Sequence, residues 1–216
     1  MGQLVRENKV TNLTFAATGG KIAILGAAVL ALSACVAPRV AQTDFQSGSG
    51  QSQETVSNWA LAGVTVTVPE EMIVTNEPDR RYPPAEHLVW YGDPPGDRKA
   101  QVSQLMAEAA QAGALDALNG STPVNLRLTI DQFHAMTPKA RATSLQLGVH
   151  EIQFDIEVVD ANSGAVVASE ENINADLRAF SGDEAIRAEQ IGQGQKIRIQ
   201  SRVAEVVRAW LLASGA

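Results

Sequence analysis

His134, Arg141 and His150 lie close together in the chain, directly behind Phe133. Imidazoles ligate metals and move protons near neutral pH, and a guanidinium beside them would hold an anion. A zinc site needs at least a third protein ligand, and neither a His-Glu-x-x-His helix, nor a nearby cysteine, nor an assured third ligand accompanies the pair. We therefore expect a hydrogen-bonded polar cluster of His134, Arg141 and His150 that pins the segment between them, and we assign no catalytic, metal-ligating or cofactor-binding residue. Glu170 and Glu171 are adjacent on an expected strand, so they face opposite ways and cannot act as a carboxylate pair. Gly192-Gln193-Gly194 lacks the third glycine and the preceding strand of a dinucleotide fingerprint, and reads as packing. His87 reads as a loop hydrogen-bonder. Trp59, Trp90 and Trp210 read as core anchors, with an interface hot spot as the other use of such residues.

These side chains need elements to hold them. Val64, Val66 and Val68 alternate with Thr65 and Thr67, which predicts a strand over Leu61–Val68. A long proline-rich stretch follows, with His87 to Tyr91 as a short edge strand. Asp97 is an N-cap for a helix carrying Val102, Leu105, Met106 and Ala109 at helical spacing, ending near Asn119. Strands are predicted from Val124 to Ile130, from Val149 to Asp160, and from about Ala165 to Leu177. The turn Asp160-Ala161-Asn162-Ser163-Gly164 joins the last two. His134 would end one strand and His150 begin the next, so both imidazoles would fall at one end of the sheet. A long helix from about Asp183 to Leu212 closes the chain, with Gly192 on its packing stripe. Gly192 and Gly194 would weaken or kink it.

The order β-α-β-β-β-α with one-sided alternation predicts an α+β fold. We expect a mainly antiparallel sheet of four to five strands, with two helices packed on one face.

The chain has 216 residues and a net charge of −7, with 45% hydrophobic residues. That content excludes wholesale disorder. The acidic balance excludes a general nucleic-acid binder, because affinity for phosphates of the backbone rests on clustered Lys and Arg. Cys35 is the single cysteine, so no internal disulfide and no multi-cysteine metal site can form. On the last helix Lys196, Arg198, Arg202 and Arg208 form a basic side. It reads as a solvated face that could meet an acidic partner.

The first segment carries Arg6, Lys9 and Lys21 against Glu7, followed by the uncharged apolar run from Ile22 to Leu32. This run is too short to span a ~30 Å hydrocarbon core as a helix, and small residues follow it, as in a secretory signal. Leu32-Ser33-Ala34-Cys35 resembles a bacterial lipobox at all four positions. The resemblance implies cleavage between Ala34 and Cys35 and acylation of Cys35, leaving the bilayer as a partner through the lipidated cysteine. Val36, where an Asp would favour inner-membrane retention in well-studied Gram-negative lipoproteins, implies the outer membrane facing the periplasm, with the periplasmic face of the inner membrane as the alternative. Residues 1–34 are thus read as signal peptide and 35–58 as lipidated cysteine and flexible tether. Residues 59–216 are read as a single periplasmic domain. A coil the length of the tether has a typical span of about 25 Å.

Leu88-Val89-Trp90-Tyr91-Gly92-Asp93, Phe133-His134-Ala135-Met136-Thr137, Gly148-Val149-His150 and Ala209-Trp210-Leu211 resemble segments of an uncharacterised family of alphaproteobacterial lipoproteins. The element order over about residues 59–213 is also similar to that of periplasmic auxiliary lipoproteins of ABC transport systems. The reading is a non-catalytic interaction or accessory module of the cell envelope, with an envelope protein as partner and no nucleic acid. A lipid or small-ligand carrier is the alternative, and an enzyme using the His134/His150 end of the sheet is the third.

Overall fold

In the computed structural model, residues 58–75, 87–143 and 148–214 are described. The signal, the lipobox and the tether up to residue 57 lie outside them. Strand β1, Trp59–Thr67, leads to short strands β2, Ile73–Val74, and β3, His87–Val89. Helix α1, Arg98–Ala117, then crosses to β4, Thr122–His134. A single-turn helix, α2, Pro138–Arg141, precedes β5, Val149–Asp160. The chain continues through β6, Val166–Asn174, β7, Leu177–Arg178, helix α3, Gly182–Gln190, and helix α4, Gln195–Ala213.

β4 and β5 are the centre of the sheet and pair antiparallel along nearly their whole length. Along β5, Ile152, Phe154, Ile156 and Val158 are fully buried; along β4, Val124, Leu126, Leu128 and Ile130 are buried against the same helices. Arg127 and Thr129 on the opposite face are exposed, which leaves one side of the sheet to solvent. Helices α1 and α4 cover the apolar side with Val102, Leu105, Met106, Ile199, Val203 and Trp210. They approach closely at Gly113, where an added Cβ would stand 2.2 Å from the Ala204 carbonyl oxygen. Trp59, Trp90 and Trp210 are all in this core, and Trp90 meets Phe133 edge-on with ring centroids 5.8 Å apart.

The sheet is mixed rather than mainly antiparallel, and it has seven strands among the described residues rather than four to five. β1 and β3 both run parallel to β4, lying one after the other along its free edge. Alternation reports which face is buried and is silent on direction. The β1–α1–β4 order carries the missing information, since a helical crossover returns the chain parallel. Four helices, not two, occur among the described residues, because the expected C-terminal helix is two helices and the single turn Pro138–Arg141 adds another. α3 ends in a Schellman motif: Gly192 takes a φ of +72°, its N–H bonds to the Glu189 carbonyl, and the Gln193 N–H bonds to the Ala188 carbonyl. Gly192 is therefore not a packing glycine; an added Cβ would touch nothing within 4 Å.

Two glycines thus impose opposite tests. Gly113→Val should lower the melting temperature by about 5 °C or more through collision of α1 with α4. Gly192→Ala should cost only about 1 kcal/mol, from the positive φ alone. Thermal melts of the two variants check this, and a milder effect at Gly113 than at Gly192 would contradict the packing described.

Candidate functional site

β4 holds a bulge that decides where the histidines go. Ile130 opposes Phe154 and Gln132 opposes Gln153, so Asp131 is an extra residue. Unbroken alternation from Val124 would carry His134 to the core face, the same face as His150. The bulge shifts the phase by one: Phe133 turns inward opposite Ile152 and His134 falls outward opposite Glu151. The two imidazoles share one end of the sheet and sit on opposite faces of it.

His134 is buried beside Glu151, its Nδ1 3.0 Å from the carboxylate and 3.2 Å from the Gln132 amide nitrogen. Its Nε2 has no partner among the described residues. Arg141 is not part of this contact. It is instead paired with Glu189 of α3. Thr137 caps α2 by accepting from the Ala140 N–H at 3.2 Å, which fixes the turn that carries Arg141.

Arg141 and His150 come together in a pocket on the helical side. Its lining includes Arg141, His150, Phe180, Ala188, Gln195 and Arg198, and it encloses about 200 Å³ counting its open mouth. Ala188 comes from α3, and Gln195 and Arg198 from the first turn of α4, so the Schellman stop at Gly192 is what places the start of α4 here. His150 is fully buried, and the Met136 N–H donates to its Nδ1 at 3.3 Å. A neutral ring that accepts at Nδ1 carries its proton on Nε2. Burial, then the charges of Arg198 and Arg141, push its pKa down to about 3.

Arg198 lies 3.3 Å from the Phe180 ring centroid and donates from Nη2 to the Arg178 carbonyl at 2.7 Å. Burial and the neighbouring Arg178 charge lower its pKa. Arg178 is paired with Glu184 at 2.5 and 2.9 Å. The expected basic side of the last helix is thus divided. Lys196 bonds to Asp93 at 2.7 Å and Arg202 to Glu205 at 3.3 Å, whereas Arg198 has no carboxylate within ion-pair distance among the described residues.

Sequence reasoning named Arg141 and His150 but missed Gln195 and Phe180 as their neighbours. The available signal was Gly192 as the residue after a helix end, with Gly194 as the cap of a new helix. His87 is the loop hydrogen-bonder expected: its Nδ1 is 2.7 Å from the Thr75 hydroxyl. On the solvent face of the sheet Asp131 stands near Asp155 and Glu171. Burial, then these two carboxylates, push its pKa up to about 6.

The pH dependence of stability follows from both groups. At high pH His150 is neutral folded or unfolded. As pH falls below about 6.5 the unfolded chain gains a proton that the folded chain refuses until about pH 3, so stability declines across that window. His150→Gln should flatten this decline, measured by urea unfolding at a series of pH values. Asp131 works the other way. Its raised pKa means stability is greatest below pH 3.8 and is lost as pH rises through about 6. Asp131→Asn should raise the melting temperature at pH 7 by about 2 °C, discounted for solvent screening, and leave it unchanged at pH 3.

A family model described as a family of unknown function, DUF6778, matches residues 59–216. No curated protein matches the chain in sequence. Among solved structures, the chain is similar to one described as a putative lipoprotein from Caulobacter crescentus, at 14% identity over 74% of this chain and 92% of that chain, with a TM-score of 0.34. It is similar also to the PelC dodecamer of Paraburkholderia phytofirmans, at 14% identity over 74% and 93% with a TM-score of 0.35. A DUF330 protein of Xanthomonas campestris aligns at 11% identity over 73% and 85%, with a TM-score of 0.38. Likenesses at these scores carry no weight for activity or assembly.

Proposed function

The chain belongs to the DUF6778 family of unknown function, and we propose that it is a lipid-anchored envelope protein whose α+β domain is a non-catalytic interaction module. The observation that carries this reading is Leu32-Ser33-Ala34-Cys35 directly after an apolar run too short to span a bilayer. In this reading residues 1–34 are removed and Cys35 is acylated. Residues up to 58 tether the domain, and Val36 directs it to the outer membrane. Acyl chains hold it at roughly 0.8 kcal/mol per buried CH₂, which an acidic domain could not match by charge. A tethered module needs only a weak interface, since anchoring raises its effective concentration near envelope partners.

The interior speaks for a module over a lipid carrier. Leu105, Met106, Leu126, Ile130, Phe154 and Ile199 fill the space between sheet and helices at 1% exposure or less. A carrier of acyl chains would need that space.

Cys35→Ser should abolish acylation and move the protein from the membrane fraction to the soluble periplasm, read by fractionation after a high-salt wash. Val36→Asp should shift the anchored protein from outer- to inner-membrane fractions on a density gradient. Sedimentation of Cys35→Ser with membranes after the wash would refute the anchor.

A further inference from the structure

We propose that the pocket between α2, α3 and the first turn of α4 binds a phosphate group. This goes beyond the anchoring role and does not depend on it. α4 is 19 residues long and begins without a side-chain cap; Gly194 is its N-cap and no acidic residue sits in its first turn. The N–H groups of Gln195, Lys196 and Ile197 have no acceptor among the described residues. An uncapped start of this kind presents donors and about half a positive charge to whatever lies in front of it.

Gln195 is the second, independent observation. It lines the pocket, is only 9% exposed, and its Oε1 has no hydrogen-bond partner among the described residues. Buried side-chain oxygens of this kind are partnered in most folded proteins, so the packed chain leaves a donor to be supplied from outside. Arg198 is the third. Its guanidinium is stacked on Phe180 and uses Nη2 for the Arg178 carbonyl, with no carboxylate within ion-pair distance among the described residues. An anion in the pocket would offset the burial that this cation carries. His150, held neutral by its surroundings, contributes a ring whose only proton is on Nε2.

The group that fits this set accepts several hydrogen bonds, carries negative charge and donates one proton. Sulfate and a carboxylate are acceptors alone at neutral pH. Inorganic phosphate keeps a P–OH there, and a phosphomonoester does so near its second pKa of about 6. The P–OH is the donor that Gln195 Oε1 lacks, and the remaining oxygens match the α4 N–H groups and the Arg198 fork. The enclosed space has room for about one water-sized group, so one phosphate oxygen enters while the rest occupies the mouth.

The test uses the full chain purified in detergent, titrated at pH 6.5 with inorganic phosphate, glycerol phosphate and sulfate by calorimetry. Saturable phosphate binding is expected, with sulfate weaker by about tenfold or more. Arg198→Gln should weaken phosphate about tenfold, and Arg198→Lys should restore part of it. Gln195→Leu should erase the preference for phosphate over sulfate. Circular dichroism and thermal melts confirm that each variant is folded. Tighter binding of glycerol phosphate would identify a phosphomonoester as the source, and equal or tighter binding of inorganic phosphate the free ion. Absence of saturable binding by folded wild type up to about 10 mM, or unchanged binding by Arg198→Gln, would overturn the site. Sulfate bound as tightly as phosphate would overturn the assignment to phosphate.

Discussion

Every larger feature of this domain follows from a sheet that is apolar on one side only. Val124 to Ile130 on β4 and Ile152 to Val158 on β5 put their branched side chains on a common face. Water cannot be left against so much contiguous apolar surface, so two long helices must lie on it. Their separation is then set by the smallest residue at their contact, Gly113, over the Ala204 backbone. Once α1 and α4 are fixed in this way, the strand that precedes α1 can only return parallel beside β4. The mixed sheet is therefore a consequence of helix placement, not a separate design.

The same requirement explains why the C-terminal segment is broken. α4 must lie against α1 and the sheet, while α3 packs Ala185 and Ala188 elsewhere, close to β5's first residues. One straight helix cannot satisfy both directions. A reversal of φ at Gly192 and a fresh start at Gly194 turn the chain between them. The cost is a helix start without a side-chain cap, and the result is that Gly194 and Gln195 line the same pocket as Arg141 and His150. Asp93 ties the arrangement to the other side of the fold. It accepts from the Trp90 indole at 2.9 Å and from Lys196 at 2.7 Å, so the β3–α1 connection and the first turn of α4 are held by one carboxylate. Burial alone would raise its pKa. The two donors and the nearby charges of Lys196 and Arg98 outweigh that and hold it below the usual carboxylate range.

Much of this was legible before any coordinates. The span of β5, its buried and exposed faces, the Asp97 cap and the turn at Asp160 can all be read from residue types, because each rests on short-range chemistry. Strand direction could not be read from alternation, which has no polarity. The bulge at Asp131 left no local mark either: Ile130-Asp131-Gln132-Phe133 reads as a strand leaving the core, and only pairing with β5 shows the extra residue. That single insertion separates His134 from His150. Gly192 was visible as a weak point. Its role as a stop needed the knowledge that its φ is positive, which packing arguments from helical spacing cannot supply.

The charge pattern that emerges is sharper than the net value. Asp131, Asp155 and Glu171 crowd on the solvent face of the sheet, and burial together with this crowding pushes the Asp131 pKa up to about 6. On the helical side, Arg141, Arg178 and Arg198 gather around the α3–α4 junction, with Glu184 and Glu189 occupied by two of them. A protein of overall charge −7 repels anions at long range. Within a Debye length of about 10 Å, the local potential decides instead. An anion approaching this domain is thus disfavoured beside Asp131, Asp155 and Glu171 and favoured where the guanidiniums of Arg141, Arg178 and Arg198 gather near the start of α4. Segregation of this kind yields selectivity by place: the acidic surface keeps polyanions from coating the protein, while a small anionic group can still reach Arg198.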